Sequence, residues 1–232
     1  PFAVLDTPAP ALPTGAQMFA PERPNSRGFD LMHAPTLELI DTARAPFRDH
    51  QWQAAPLLAG EVAPLAPAPV TNPADLRDQP GTIAAASAAD IETALSNARP
   101  WSEDAALRAS ALNAAADLYE AHFGEIFALL AREAGKTLPD CVAELREAVD
   151  FLRYYAAHIP DAPPAGVFTC ISPWNFPLAI FSGQIAAALA TGNAVLAKPA
   201  EQTPLIAYLA VRLLHQAGVP REALQLLPGG GA

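Results

Sequence analysis

From Ser87 onward the chain carries apolar residues at two successive periods. First come stripes at spacings of three and four, the pattern of helices that bury one face. Ile91, Ala94, Leu95 and Ala98 form one stripe. Ser87 and Asp90 open it at the Ser-x-x-Asp spacing of a capping pair, and Pro100 stops it. Leu107, Ala111, Ala115, Leu118 and His122 form the next, with Ser102 expected as its cap and Glu103 and Asp104 suited to the amino-terminal dipole. Gly124 interrupts, and Ile126, Leu129 and Leu130 continue to a stop at Gly135. Pro139 opens a third stripe of Val142, Leu145, Val149, Leu152 and Ala156, which ends in Pro160, Pro163 and Pro164.

The pattern then changes. Residues 167–171 are a short apolar run, and 177–190 form a helix so poor in charge that it is expected to be buried on most sides. Thr191-Gly-Asn193 turns the chain into a second apolar strand at 194–197. A helix over 204–217 follows, with Gly218 and Pro220 as stop signals. A third strand is expected at 224–227, then the loop Pro228-Gly-Gly-Gly231. Strand, helix, strand, helix, strand with short connections predicts a right-handed parallel sheet. Ligands of such sheets bind at the carboxyl ends of the strands, so residues 166–204 are the informative stretch.

The first 86 residues are less regular. Residues 1–20 read as an extended linker. Pro21-Glu-Arg-Pro-Asn-Ser-Arg-Gly28 reads first as a surface turn, with a docking or binding loop as the alternative. Residues 36–45 carry Leu37, Ile40 and Ala43 at helical spacing, ended by Pro46, and Trp52 is expected to anchor this segment on the main body. Residues 57–70 read as a second linker or an extended edge segment, and 70–84 as short strands joined by a turn at Gln79-Pro-Gly81. The organisation is therefore a Pro/Ala-rich leading segment (1–86), a helical part (87–165) and the start of a parallel sheet (166–232).

Composition narrows the function classes. A length of 232 residues suits one large or two small domains. A net charge of -10 and a pI near 4.8 argue against nucleic acid or an anionic membrane as partner. No apolar run is long enough to span a membrane, no leader peptide is visible, and the lack of a starting Met suggests a chain cut from something longer. Two cysteines, Cys141 and Cys170, are too few for a disulfide framework and fit a reducing cytoplasm.

Several residues could carry chemistry. Asn175 follows a strand, where its amide could donate to an oxyanion formed on a carbonyl, although an Asx-type turn before Pro177 fits the spacing better. Trp174 could contact a cofactor or pack in the core. Lys198 and Glu201 at the end of the second strand could hold an adenosine ribose, although a solvated ion pair in a turn fits the spacing better. Gly229 and its neighbours permit close approach of a ligand to the backbone, but Pro228-Gly-Gly-Gly-Ala232 is no dinucleotide fingerprint. Cys170 lies in an apolar strand and reads as structural. The five His have no metal-ligand spacing, and no metal is expected.

Taken together, Ile171-Ser-Pro-Trp-Asn-Phe-Pro-Leu178, Thr191-Gly-Asn-Ala-Val195, Lys198-Pro-Ala-Glu-Gln-Thr-Pro204 and, upstream, Glu133-Ala-Gly-Lys-Thr137 resemble the aldehyde dehydrogenase superfamily. Pro21-Glu-Arg-Pro-Asn-Ser-Arg-Gly28, Arg132-Glu-Ala-Gly-Lys-Thr137 and Arg146-Glu-Ala-Val-Asp-Phe-Leu-Arg-Tyr-Tyr155 bring the chain nearest to the dehydrogenase module of the bifunctional proline utilization enzymes. The resemblance implies an α/β, aldehyde dehydrogenase-like fold: the amino-terminal part of a Rossmann-type sheet preceded by a helical segment. It implies NAD-dependent oxidation of L-glutamate gamma-semialdehyde to glutamate, with a small-molecule aldehyde as partner, a cytoplasmic setting and a homo-oligomer open to the full enzyme. Asn175 matches the oxyanion donor. Ile171, Ser172, Pro173, Trp174, Lys198, Glu201 and Gly229 fall at the cofactor seat. FAD belongs only to a proline dehydrogenase half that is not in this chain.

The resemblance also implies what is missing. The family's nucleophilic Cys and its Glu lie beyond residue 232, and neither Cys141 nor Cys170 matches them. Only a short Pro-rich link stands between Tyr155 and Gly166, where the family usually inserts a hairpin used in oligomerisation. The isolated chain is therefore expected to be inactive. The alternatives are a non-catalytic nucleotide-binding or interaction module, or an aldehyde dehydrogenase of another substrate class.

Overall fold

The computed structural model describes residues 13–230, so residues 1–12 of the linker expected at 1–20 and the last glycine of the carboxyl-terminal loop lie outside the described residues, while 13–20 are not extended but hold a 3-10 helix, Gly15–Gln17, and turns. Seven helices follow the predicted stripes: α1 (Ala34–Arg44), α2 (Ala88–Asn97), α3 (Ala105–Ala121), α4 (Phe123–Ala134), α5 (Leu138–Ala157), α6 (Ala179–Ala190) and α7 (Pro204–Gln216). Six short strands complete the described residues: β1 (Trp52–Ala54), β2 (Ala68–Val70), β3 (Gly81–Ile83), β4 (Val167–Ile171), β5 (Ala194–Lys198) and β6 (Leu224–Leu226).

Strands β4, β5 and β6 form the expected parallel sheet in that order, with Ile171 opposite Lys198 and Ala197 opposite Leu226. Helix α6, apolar on nearly every side, buries Phe181, Ile185 and Leu189 against α5 and α3. Its close approach to α5 depends on Gly183, where a Cβ would fall 2.8 Å from the Phe151 ring. The turn from α6 into β5 is tied to the start of β4 by buried Asn193, whose Oδ1 accepts the N–H groups of Ala165 (2.6 Å) and Gly166 (2.9 Å). The α5–β4 connection forms no strand, as its prolines predict.

A second sheet was only partly legible. Strand β3 pairs antiparallel with β2 and parallel with β1, in the order β1-β3-β2. The expected edge segment is β2, but the chain returns to β3 through residues 71–80 rather than by a tight turn at Gln79-Pro-Gly81. At three residues each, these strands are too short to show a period, and pairing with distant partners decides them. Trp52 is the anchor expected of it: its ring is buried and its Nε1 donates to Glu125 at 2.9 Å. Leu57 exchanges backbone bonds with Leu226 (3.1 and 2.9 Å), joining this segment to the larger sheet.

Four local expectations are corrected. Helix α3 has Asp104, not Ser102, as its N-cap residue, and Asp104 makes no side-chain cap bond. Its buried face is Ala111, Leu112, Ala115, Ala116 and Tyr119, with Leu107 exposed. Helix α2 buries Ala94 and Ala98, while Ile91 and Leu95 stand exposed. The segment Pro21-Glu-Arg-Pro-Asn-Ser-Arg-Gly28 is not a free surface turn. Asp150 of α5 accepts from Arg23 (2.7 Å), Ser26 N (3.0 Å) and Ser26 Oγ (2.6 Å), and Arg153 donates to the Asn25 carbonyl (3.2 Å). Asn25 and Ser26 are buried as a result.

Candidate functional site

The parallel register brings three loops together at the carboxyl ends of β4, β5 and β6. Ser172 N donates to the Lys198 carbonyl (3.2 Å) and Leu227 N to the Ala197 carbonyl (2.9 Å), so each loop starts from its neighbour's strand end. Lys198 shares a hollow of about 370 Å³ with Thr169, Leu196, Gly229 and Gly230, and the exposed Ile91 and Leu95 of α2 line its side. Glu201 reaches one of these glycines: a Cβ on Gly230 would sit 3.5 Å from its Oε2. The carboxylate is exposed, accepts from Gln202 Nε2 (3.2 Å), and makes no ion pair with Lys198. The solvated ion pair that spacing allowed is thus not formed.

Trp174 and Glu201 line a second hollow, of about 420 Å³, floored by Glu133 and walled by Val70, Ile83 and Thr203. Trp174 is exposed rather than packed in the core. Ser172 is buried, Pro173 half-buried and Ile171 exposed at the sheet edge. Asn175 stands exposed in the same loop, with its side chain open and its backbone carbonyl taken by Lys136 Nζ at 2.6 Å. The structure therefore groups Lys198 and Gly229 in one hollow, places Glu201 beside Gly230 and in the next hollow with Trp174, and sets Asn175 farther along the β4 loop.

Two carboxylates that periodicity did not single out hold these loops. Glu144 of α5 is 1% exposed; its Oε2 accepts Leu178 N (3.2 Å) and Ala179 N (2.9 Å), the free donors at the start of α6. Glu133 of α4 is 2% exposed and accepts Leu205 N (2.6 Å) and Ile206 N (2.9 Å) at the start of α7. Burial pushes the Glu133 carboxyl up to about 8, against the pull of those two donors. The two helices that follow β4 and β5 are thus capped from the helical layer. The sequence did contain a signal: Glu144 lies three residues after Cys141 and four before Ala148, on the buried stripe, where an acid needs a partner. Glu133 follows Leu129 and Leu130 in the same way.

Neither thiol is placed to react. Burial pushes Cys141 up to about 12 and Cys170 up to about 11, so both stay protonated at neutral pH. Among the described residues no cluster of three His, Cys, Asp or Glu side chains is arranged for a metal.

The profile of the aldehyde dehydrogenase family matches residues 63–232. The chain belongs to the aldehyde dehydrogenase family. The bifunctional protein PutA of Klebsiella aerogenes is 46% identical over 235 residues, covering 97% of this chain and 18% of that protein. The 1-pyrroline-5-carboxylate dehydrogenase of Anoxybacillus flavithermus is 39% identical over 184 residues, covering 69% of this chain and 36% of that enzyme. A crystal structure of 1-pyrroline-5-carboxylate dehydrogenase from Thermus with bound NAD superposes with a TM-score of 0.80 at 28% identity, over 89% of this chain and 45% of that one. This aldehyde dehydrogenase segment therefore spans less than half of each of these relatives. Its α/β architecture is theirs, and it includes the strand ends described above.

Proposed function

We propose that this segment is the amino-terminal portion of an NAD-dependent dehydrogenase that oxidises L-glutamate gamma-semialdehyde to glutamate in proline catabolism. The observation that carries the reading is that Lys198 and Gly229 share a hollow at the carboxyl ends of the parallel strands, with Glu201 beside Gly230, within a chain similar to PutA over nearly its whole length. An ammonium and a carboxylate that do not satisfy each other, beside glycine backbone, suit a ribose with its hydroxyls and adjoining phosphate. Ile171, Ser172, Pro173 and Trp174 would line the same seat. Bound NAD supplies the hydride acceptor.

The chain's own catalytic contribution is Asn175. A thiolate attacking the aldehyde carbon pushes an electron pair onto oxygen. An amide N–H held at that oxygen stabilises charge that exists only after attack, which lowers the barrier rather than tightening substrate binding. Both thiols within residues 13–230 are held protonated by burial, so the nucleophile comes from outside this segment. FAD would serve a separate proline dehydrogenase half. Two unpaired cysteines and the net acidic charge fit a cytoplasmic enzyme, and no described helix is long and apolar enough to cross a membrane. A homo-oligomer of the full enzyme fits the same reading.

The test is NADH formation by the full-length protein that contains this segment, with glutamate semialdehyde compared against a panel of aliphatic and aromatic aldehydes. Preference for the semialdehyde supports the proposal, and preference for another aldehyde shifts the substrate class. Asn175→Ala should lower kcat by roughly 10²–10³-fold with little change in KM for NAD. The isolated 232-residue chain should form no NADH, and turnover by it would overturn the assignment of the nucleophile.

A further inference from the structure

We propose that Lys136 is a positioning residue for Asn175, acting with Glu144 as a clamp that holds the Asn175 peptide in one orientation. The inference rests on the reading of Asn175 as the oxyanion donor.

Lys136 is itself firmly mounted. Gly135, at φ +64°, ends α4 in the left-handed region that a residue with a Cβ resists. Thr137 begins α5 with a capping box: its Oγ1 donates to Asp140 Oδ2 (2.5 Å), and Asp140 N donates back to that Oγ1 (3.4 Å). Lys136 is the single residue between the two caps, and its N–H donates to the Leu130 carbonyl (3.3 Å).

From that mount the side chain, 16% exposed, reaches three groups. Nζ donates to the Asn175 carbonyl (2.6 Å), lies 3.0 Å from Glu144 Oε1, and sits 4.8 Å from the centre of the Phe176 ring. The other oxygen of Glu144 takes the N–H groups of Leu178 and Ala179. The loop is therefore gripped on both sides of Pro177, at a carbonyl by the ammonium and at two amides by the carboxylate. The ammonium also shields the Asn175 carbonyl from the Glu144 charge. Displacement of the Asn175 backbone, which would carry its side chain with it, breaks the shortest of these bonds. A buried ion pair is weak evidence of stabilisation, whereas fixing one conformation of a loop is a use for it. The run Glu133-Ala-Gly-Lys-Thr137 is thus read residue by residue: Glu133 caps α7, Gly135 stops α4, Lys136 clamps the Asn175 loop and Thr137 caps α5.

The test is a double-mutant cycle in the full-length enzyme, scored by kcat and by KM for NAD. Lys136→Met should lower kcat by roughly 10- to 100-fold, as a misplaced catalytic group does, with KM for NAD nearly unchanged. In an Asn175→Ala background the same substitution should cost less than about twofold more, because there is no amide left to position. An equal loss in both backgrounds would make Lys136 a structural residue only and overturn the proposal. An unchanged kcat for Asn175→Ala alone would instead sink the reading of Asn175, a separate outcome. Lys136→Arg keeps the charge on a stem of similar length. It should fold, and its cycle with Asn175→Ala decides the matter should Lys136→Met not fold.

Discussion

Glu133 Oε1 accepts the backbone N–H of Leu205 at 2.6 Å and so joins the end of α4 to the first turn of α7 across 72 positions of sequence. The bond satisfies a helix-end donor with a buried acid, and the acid is held near a pKa of about 8 by its burial. A carboxyl raised in the folded state is protonated there while the unfolded chain has already released the proton. Stability should therefore fall as pH rises from about 4.5 toward about 8. Glu133→Gln should flatten that slope in urea unfolding measured at several pH values. Glu133→Ala should cost about 1–3 kcal/mol, since it leaves two buried donors without an acceptor.

Glu144 does the same for α6, and there the effect is local. Glu144→Ala should cost roughly 3 kcal/mol, because it orphans the Lys136 ammonium as well as two amides. Hydrogen exchange should show it first at Leu178 and Ala179, whose protection should drop while that of Leu205 and Ile206 is retained. Equal loss at both helix starts would mean that the two caps are not independent.

His215, near the end of α7, has both ring nitrogens buried without a partner among the described residues. Burial, helped by Arg221, pushes the imidazole down to about 4. The folded state thus keeps the ring neutral where the unfolded chain protonates it. The stability is fully present above about 6.5 and is lost as pH falls from there toward about 4. His215→Leu should leave stability at pH 7 within about 1 kcal/mol, since no hydrogen bond is removed, and should reduce the acid-side loss. A steeper loss in the variant would contradict this account.

Arg153 is the hub that docks the leading segment. It donates to Asn25 O (3.2 Å), to Glu120 (3.0 and 3.1 Å) and to Asp117 (2.8 Å), with its side chain 6% exposed. Arg153→Met should destabilise by roughly 3 kcal/mol and should open residues 21–28 to proteolysis. Asp150→Asn, which weakens the bonds to Arg23 and Ser26 on the same segment, should give the same cleavage site with a smaller loss.

What could be read from the chain was whatever neighbours in sequence decide. The stripe from Val142 to Ala156, the cap at Ser87, and the alternation of strands and helices after residue 166 are local patterns, and the structure repeats them. Helix α5 starts at Leu138, one residue ahead of the expected Pro139, with Thr137 as a cap that was not foreseen, and α2 and α3 bury different faces from those their spacing suggested. The identities of Asn175, Lys198 and Glu201 were also legible as a motif.

What only the tertiary structure decided is where long-range partners meet. Spacing could not tell that Asn25 and Ser26 are buried against α5, that β1 and β2 flank β3, or that Lys198 and Glu201 leave each other free. Nor could it show that Lys136, Glu133 and Glu144 reach loops tens of residues away. The physical reason is that groups left open in one segment are closed only by what tertiary packing brings to them. The first turn of a helix and the open carbonyl of a loop cannot find partners within their own segment, so their hydrogen bonds are closed by whichever polar side chain the packing of another element delivers.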